Sequence, residues 1–141
     1  MIRRALVLLA AAVALLALPT VAPAASRTGP VTVLSGIVRP GDHAASGRAT
    51  IVRYPSGRRF LRLGPFSLSP GPVTRVWLVP AGARTDRAAA SDYRSLGPLK
   101  SARGVQQYEI GRTVNLARYR SVVFWCVPFR VILARADLRA P

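Results

Sequence analysis

This 141-residue sequence predicts an all-β domain, a single antiparallel β-sandwich or barrel of roughly 7–9 short strands. Three observations carry that expectation. Apolar and β-branched runs of a few residues recur along the chain, each closed by a Gly or Pro cluster. Several of them alternate apolar with polar residues, the period of a half-buried strand. Helical periodicity is almost absent, and neither an internal repeat nor a second domain is discernible.

The first strand is expected at 31–38, closed by Pro40-Gly41. The second, at 47–54, places Ala49, Ile51 and Arg53 on one face and Thr50, Val52 and Tyr54 on the other. Pro55-Ser-Gly57 turns the chain into a third strand at 59–63, forming a hairpin. Gly64-Pro65 and Ser69-Pro-Gly-Pro72 punctuate the next connection, and 74–79 makes a fourth strand. Residues 80–93 are polar and alanine-rich; 86–93 reads equally as one helical turn or as an excursion loop. A turn at 97–100 precedes an alternating strand at 105–110, ended by Gly111. The last strands fall at 120–125 and 129–134, split by Pro128.

Ahead of the strands lies a segment with the features of an export signal. Arg3 and Arg4 precede an apolar run at 5–18, and Pro19 and the small residues Ala22-Pro-Ala24 follow, predicting cleavage after Ala24. The run is shorter than the about 20 apolar residues needed to span a bilayer. No later segment is apolar enough to do so, so the exported chain is expected not to span the membrane. The organisation read from the sequence is a signal peptide at 1–24, a leader at 25–34, one β domain at 35–138 and a tail at 139–141. Its expected destination is secreted or extracytoplasmic, in the cell envelope.

The formal charge is +16, and Lys100 is the only lysine. Such a field favours anionic partners, among them cell-envelope polymers. Arginine and alanine excess also reads as the compositional bias of a GC-rich genome. The arginines are scattered along the sequence and do not interleave with aromatics, which argues against a nucleic-acid groove.

The residue that most invites chemistry is Cys126, the only cysteine, inside the apolar run 121–134. An exported chain with one cysteine cannot close its own disulfide. The thiol is free, bonded to another chain, or bound to a metal or cofactor. Free cysteines are among the most buried residues, and a reactive one needs a cation or hydrogen-bond donor beside it. Arg120 and Arg130 are the nearest cations in sequence, and Arg130 shares the parity of Cys126 unless Pro128 breaks the register. Trp125 is a candidate electron-hopping aromatic or simply core. His43, the only histidine, is a candidate ligand to a metal or haem iron, a hydrogen-bond partner of the thiol, or a turn residue.

With one cysteine, one histidine and five acids, a structural zinc or iron–sulfur site is not expected. Asp42, His43 and Ser46 stand too close in sequence to converge as a triad. The five carboxylates offer no recognisable catalytic pair. Tyr108 and Tyr119 read as core residues or corner hydrogen-bonders, and no catalytic residue is assigned.

The order of motifs resembles the electron-transfer DM-thirteen domain family, small β domains found alone in bacteria and beside DOMON domains in animals. The pieces that carry the resemblance run from His43-Ala-Ala-Ser-Gly47 through Ser69-Pro-Gly-Pro72 and Val76-Trp-Leu78. They continue with Leu96-Gly-Pro-Leu-Lys100, Gly104-Val-Gln-Gln-Tyr-Glu-Ile110, Tyr119-Arg-Ser-Val122, Trp125-Cys126 with Phe129, and Ala136-Asp-Leu138. The chain departs from the family at Val73-Thr74, where the family usually carries an acidic residue after Gly-Pro. The resemblance implies a redox role centred on Cys126.

The leading expectation is therefore an exported redox accessory or electron-transfer module acting through Cys126, with Trp125 and His43 in support and a redox partner protein. It is expected to act as an accessory rather than as a self-sufficient enzyme. The cofactor is unassigned, haem and copper being the groups a thiol and an imidazole would share. The alternative is a non-catalytic extracellular binding module that contacts anionic envelope polymers or a partner protein, with Cys126 buried as core.

Overall fold

The computed structural model describes residues 17–24 and 28–141. Most of the expected export signal, and residues 25–27 of the expected leader, lie outside the described residues. Nine strands and one short helix follow in the order β1 (Val31–Ile37), β2 (Arg39–Pro40), β3 (Ala45–Arg53), β4 (Arg59–Leu68), β5 (Thr74–Val79), α1 (Asp86–Ser91), β6 (Arg94–Pro98), β7 (Arg103–Ile110), β8 (Ser121–Cys126) and β9 (Val131–Asp137). They form two antiparallel sheets, ordered β1-β3-β4-β7 and β2-β9-β8-β5-β6. The all-β sandwich expected from the sequence is what the chain forms. Among the described residues no helix is long and apolar enough to cross a membrane.

The core sits between the sheets. Ala49 and Ile51 of β3 and Leu61 and Leu63 of β4 face Val76 and Leu78 of β5 and Val122, Phe124 and Cys126 of β8. Of the two faces read from the β3 sequence, the one with Ala49 and Ile51 packs into the core, while Arg53 at its end is exposed and Val52 of the other face is also buried. Phe66 and Phe124 meet across the gap with ring centroids 4.9 Å apart.

The five-stranded sheet is covered on its outer face as well. Trp77 and Val79 of β5, Val123 and Trp125 of β8 and Ile132 of β9 form a second apolar cluster with Ala89 of α1. A strand buried on both faces reads as a continuous apolar run rather than an alternation, which is the character of β5 and β8. The helix is set in place by two side chains. Thr85 caps it by accepting from Ala88 N at 3.1 Å, and Asp86 Oδ1 accepts from Ile132 N of β9 at 2.8 Å.

Three local expectations are corrected. Gly64-Pro65 does not end the third strand; β4 runs on to Leu68 through a cis peptide there, with a shift of register between Leu63 and Phe66. The expected turn at 97–100 overlaps β6, which pairs with β5 despite Gly97 at φ 105°. The last strand begins at Val131 rather than Phe129. Arg130 adopts φ 54° and donates its N–H to the Cys126 carbonyl at 2.9 Å, closing a turn that keeps Phe129 and Arg130 out of the ladder.

Candidate functional site

Cys126 ends β8 and points into the sandwich, with no exposed surface. Among the described residues the one hydrogen bond of its thiol runs from Sγ to the Pro72 carbonyl at 3.5 Å. Pro72 belongs to the Ser69-Pro-Gly-Pro72 segment between β4 and β5. Thr74, the first residue of β5, is the register partner of Cys126, and Val127 N donates to Val73 O at 3.0 Å. Val73-Thr74, where the resemblance leads one to expect an acidic residue, therefore stands beside the thiol. Val73 itself is mostly exposed, at the positive φ of 30°, which costs a β-branched residue conformational energy.

His43 meets the same segment from the other side. Its Nδ1–H donates to the Ser69 carbonyl at 3.0 Å, and its backbone N–H donates to Leu133 O of β9 at 3.0 Å. A Cβ on Gly71 would lie 3.3 Å from His43 Cε1 and 3.1 Å from Leu133 Cδ1, so this glycine lets the loop close tightly onto both. Cys126 and His43 thus hold opposite ends of one tetrapeptide and share no hydrogen bond. The fully buried sulfur offers no open coordination position, and no group of three or more His, Cys, Asp or Glu gathers among the described residues. These residues do not fit haem or copper. Arg130 does not approach the sulfur as strand parity would have it; the turn swings it to the outer face, where it lines a cleft with Trp125.

Trp125 and Cys126 are neighbours in a strand and face opposite ways. Cys126 is in the core, whereas Trp125 is in the outer cluster. There Trp125 stacks on Trp77 with centroids 4.7 Å apart and planes 17° from parallel. Trp77 stacks in turn on Tyr93 at 3.7 Å and 8°. The two indoles are 4% and 7% exposed, Tyr93 40%, so the row of rings runs from buried indole to solvent. It borders a cleft of about 370 Å³ flanked by Arg75 and Arg130.

The tyrosine is placed by its neighbour Asp92. This carboxylate accepts from Arg118 at 2.5 Å and from the Tyr119 hydroxyl at 2.7 Å. Those two hydrogen bonds hold it below the usual carboxylate range.

Reading the sequence singled out Cys126, Trp125 and His43, and the fold brings the first and last to one loop. It did not single out Trp77 and Tyr93. A signal for Trp77 was present: β5 and β8 are apolar on both faces, which requires a covered outer surface. Tyr93 had no such signal, because its position follows from α1 and the Asp92 contacts. Tyr108 and Tyr119 are both buried, and their hydroxyls are hydrogen-bonded to Lys100 N and Gln106, and to Asp92, respectively.

A family model described as electron transfer DM13 matches residues 38–138. No curated protein and no solved structure matches the chain.

Proposed function

The chain belongs to the electron transfer DM13 family, and on that premise we propose that it is an exported one-electron-transfer module rather than a self-sufficient enzyme. Trp125 and Cys126 are its redox residues, and His43 is a positioning residue that holds the loop over the sulfur. The observation that carries this reading is the Tyr93–Trp77–Trp125 stack, which joins a solvent-facing phenol to the residue next to the buried thiol.

Rings in van der Waals contact exchange electrons over the shortest gaps a protein offers. An oxidising partner protein docked at the Tyr93 end takes one electron from the indole pair through the tyrosine ring, leaving an indole radical cation. One electron from a reducing partner restores it, and no atom changes place. Cys126 stands one residue away as a second donor. Oxidising its thiol to a thiyl radical releases one electron, which refills the indole, and one proton. The hydrogen-bond acceptor of the thiol is the Pro72 carbonyl, a poor base. The proton therefore reaches water only when the 69–73 loop lifts, and His43 resists that motion through Ser69.

The test is photo-oxidation by a ruthenium(III) polypyridyl complex, followed by electron paramagnetic resonance. The expected result is an indole radical in the wild type whose yield falls in Trp125→Phe and in Tyr93→Phe. The same sample should show a native thiol that reacts with a disulfide reagent only slowly, and faster in His43→Ala. Unchanged radical yields in both aromatic variants would remove the stack from electron transfer.

A further inference from the structure

At the opposite end of β8 from the thiol, four arginines that are scattered in the sequence line one cleft. Arg39 comes from β2, Arg84 from the loop before α1, Arg135 from β9 and Arg139 from the C-terminal tail. They border a volume of about 430 Å³ in which the one carboxylate is Asp137. Four guanidinium groups against one carboxylate leave a net charge of +3. A second cleft shares Arg84, Asp137 and Arg139 and adds Arg120.

Two features show that this charge is built in and not an accident of an arginine-rich surface. Arg39 and Arg135 are direct register partners across β2 and β9, and like charges opposite one another in a ladder destabilise it. Arg135 is also largely buried, its side chain only 14% exposed. Its Nη atoms donate to Ala83 O at 3.0 Å, to Asp137 Oδ1 at 2.7 Å and to Ser121 Oγ at 3.4 Å. Its Nε is buried and has no partner among the described residues. An orphaned buried donor costs free energy. Asp137 is already committed, to Arg135, to Ser121 and, at 3.3 Å, to Arg84, so among the described residues Arg39 and Arg139 have no carboxylate partner.

The cleft forms where the two sheets meet. Ser35 of β1 pairs with Arg139 through two backbone hydrogen bonds of 2.8 and 2.9 Å. Beside it Gly36 lies so close to β9 that a Cβ would fall 2.1 Å from the Asp137 carbonyl oxygen. This close approach brings Arg39 and Arg139 to the same space as Arg84 and Arg135.

We propose that this cleft is a binding site for an oligoanion carrying several phosphate groups. Phosphate matches the site because each group accepts from more than one guanidinium fork, and several negative charges are needed to balance the surplus. The site is separate from the aromatic stack and does not depend on the electron-transfer reading.

The experiment is calorimetric titration of the full-length protein with inorganic phosphate, pyrophosphate and tripolyphosphate at fixed ionic strength. Parallel titrations use Arg39→Ala, Arg84→Ala and Arg112→Ala, the last an exposed arginine outside the cleft. Saturable binding of one tripolyphosphate per chain is expected, tightening along the series. Loss of one fork should weaken it about tenfold in Arg39→Ala and in Arg84→Ala, and by less than about twofold in Arg112→Ala. Both cleft residues are exposed, so thermal melts of these variants should match the wild type. A poly(glycerol phosphate) of equal phosphate number separates the two sources of this chemistry. Preference for tripolyphosphate assigns a soluble ligand, and preference for the polymer assigns a phosphodiester of the envelope. No binding, binding without saturation, or an equal loss in all three variants would overturn the site and leave only a diffuse positive field.

Discussion

At the Cys126 end of β8 the chain buries a thiol on one face and an indole on the other, and the sulfur makes a single hydrogen bond. At the Ser121 end, about 17 Å along the strand, it buries a hydroxyl and a guanidinium tied to the Asp137 carboxylate. The first region is held by packing, which is non-directional and carries no charge to be screened. The second is held by charge-assisted hydrogen bonds, which respond to pH and to salt. One strand therefore joins two regions with different physical responses, and the contrast can be broken one end at a time.

The largest effect is expected at the packed end. Trp125→Ala removes an almost fully buried indole from its stack and from the α1 contact and should cost about 3–5 kcal/mol in urea unfolding. A cost below about 1 kcal/mol would mean that the outer cluster does not hold the sheet. At the charged end, Asp137→Asn takes the anion from a largely buried guanidinium. Breaking a fully buried pair costs about 3–5 kcal/mol. Asp137 is one-third exposed, so about 1–3 kcal/mol is expected here. The same variant raises the net charge of the cleft and should bind tripolyphosphate more tightly than the wild type. The two readouts thus move in opposite senses, which a general loss of structure would not produce.

Acid should separate the ends further. Burial alone would raise the Asp137 carboxyl, but hydrogen bonds from Arg135 and Ser121 and the charges of Arg135 and Arg84 outweigh it and hold it below its ordinary range. A carboxyl that is more acidic folded than unfolded stabilises the fold above its unfolded value, near pH 4. That contribution is lost as pH falls through the lower, folded value. Asp92 and Glu109, each hydrogen-bonded to arginine, share the direction. Unfolding free energy should therefore stay level from about pH 7 to pH 5 and fall below pH 4, with a shallower fall in Asp137→Asn. Cys126→Ala should leave the shape of that curve unchanged.

The packed end was legible in the sequence to the extent that burial follows from residue type. The strands carrying Ile51, Leu63, Val76 and Phe124 showed as apolar runs bounded by Gly and Pro. What the sequence concealed was the connection to the second layer. The row Tyr93–Trp77–Trp125 draws on three separate segments that meet only because β5 lies between β6 and β8. The charged end was not legible at all. Arg39, Arg84, Arg135 and Arg139 look scattered along the chain, and no periodicity joins them. They converge because β2 adds to the edge of β9 and because Gly36 admits β9 closely. Patterns of burial are local in sequence, whereas clusters of charge are set by topology.

The smallest effect tests whether the loop over Cys126 is a lid or merely packing. His43→Ala removes one hydrogen bond, to the Ser69 carbonyl, from a half-buried side chain, and should cost only about 0.5–1.5 kcal/mol. Gly71→Ala acts on the same loop by a different route. Its new Cβ would press Leu133 and the His43 ring at 3.1 and 3.3 Å, and the loop must rise by a few tenths of an ångström. Neither change touches the sulfur or its Pro72 contact directly. If the 69–73 segment is the barrier between thiol and water, both variants speed modification of Cys126 in the native state while the melting curve scarcely moves. If global unfolding is what exposes the thiol, the modification rate follows stability alone. It should then rise as much in a core variant such as Leu61→Val, on the facing sheet, as in His43→Ala at equal loss of stability. Comparing the three rates at matched stability separates the two routes.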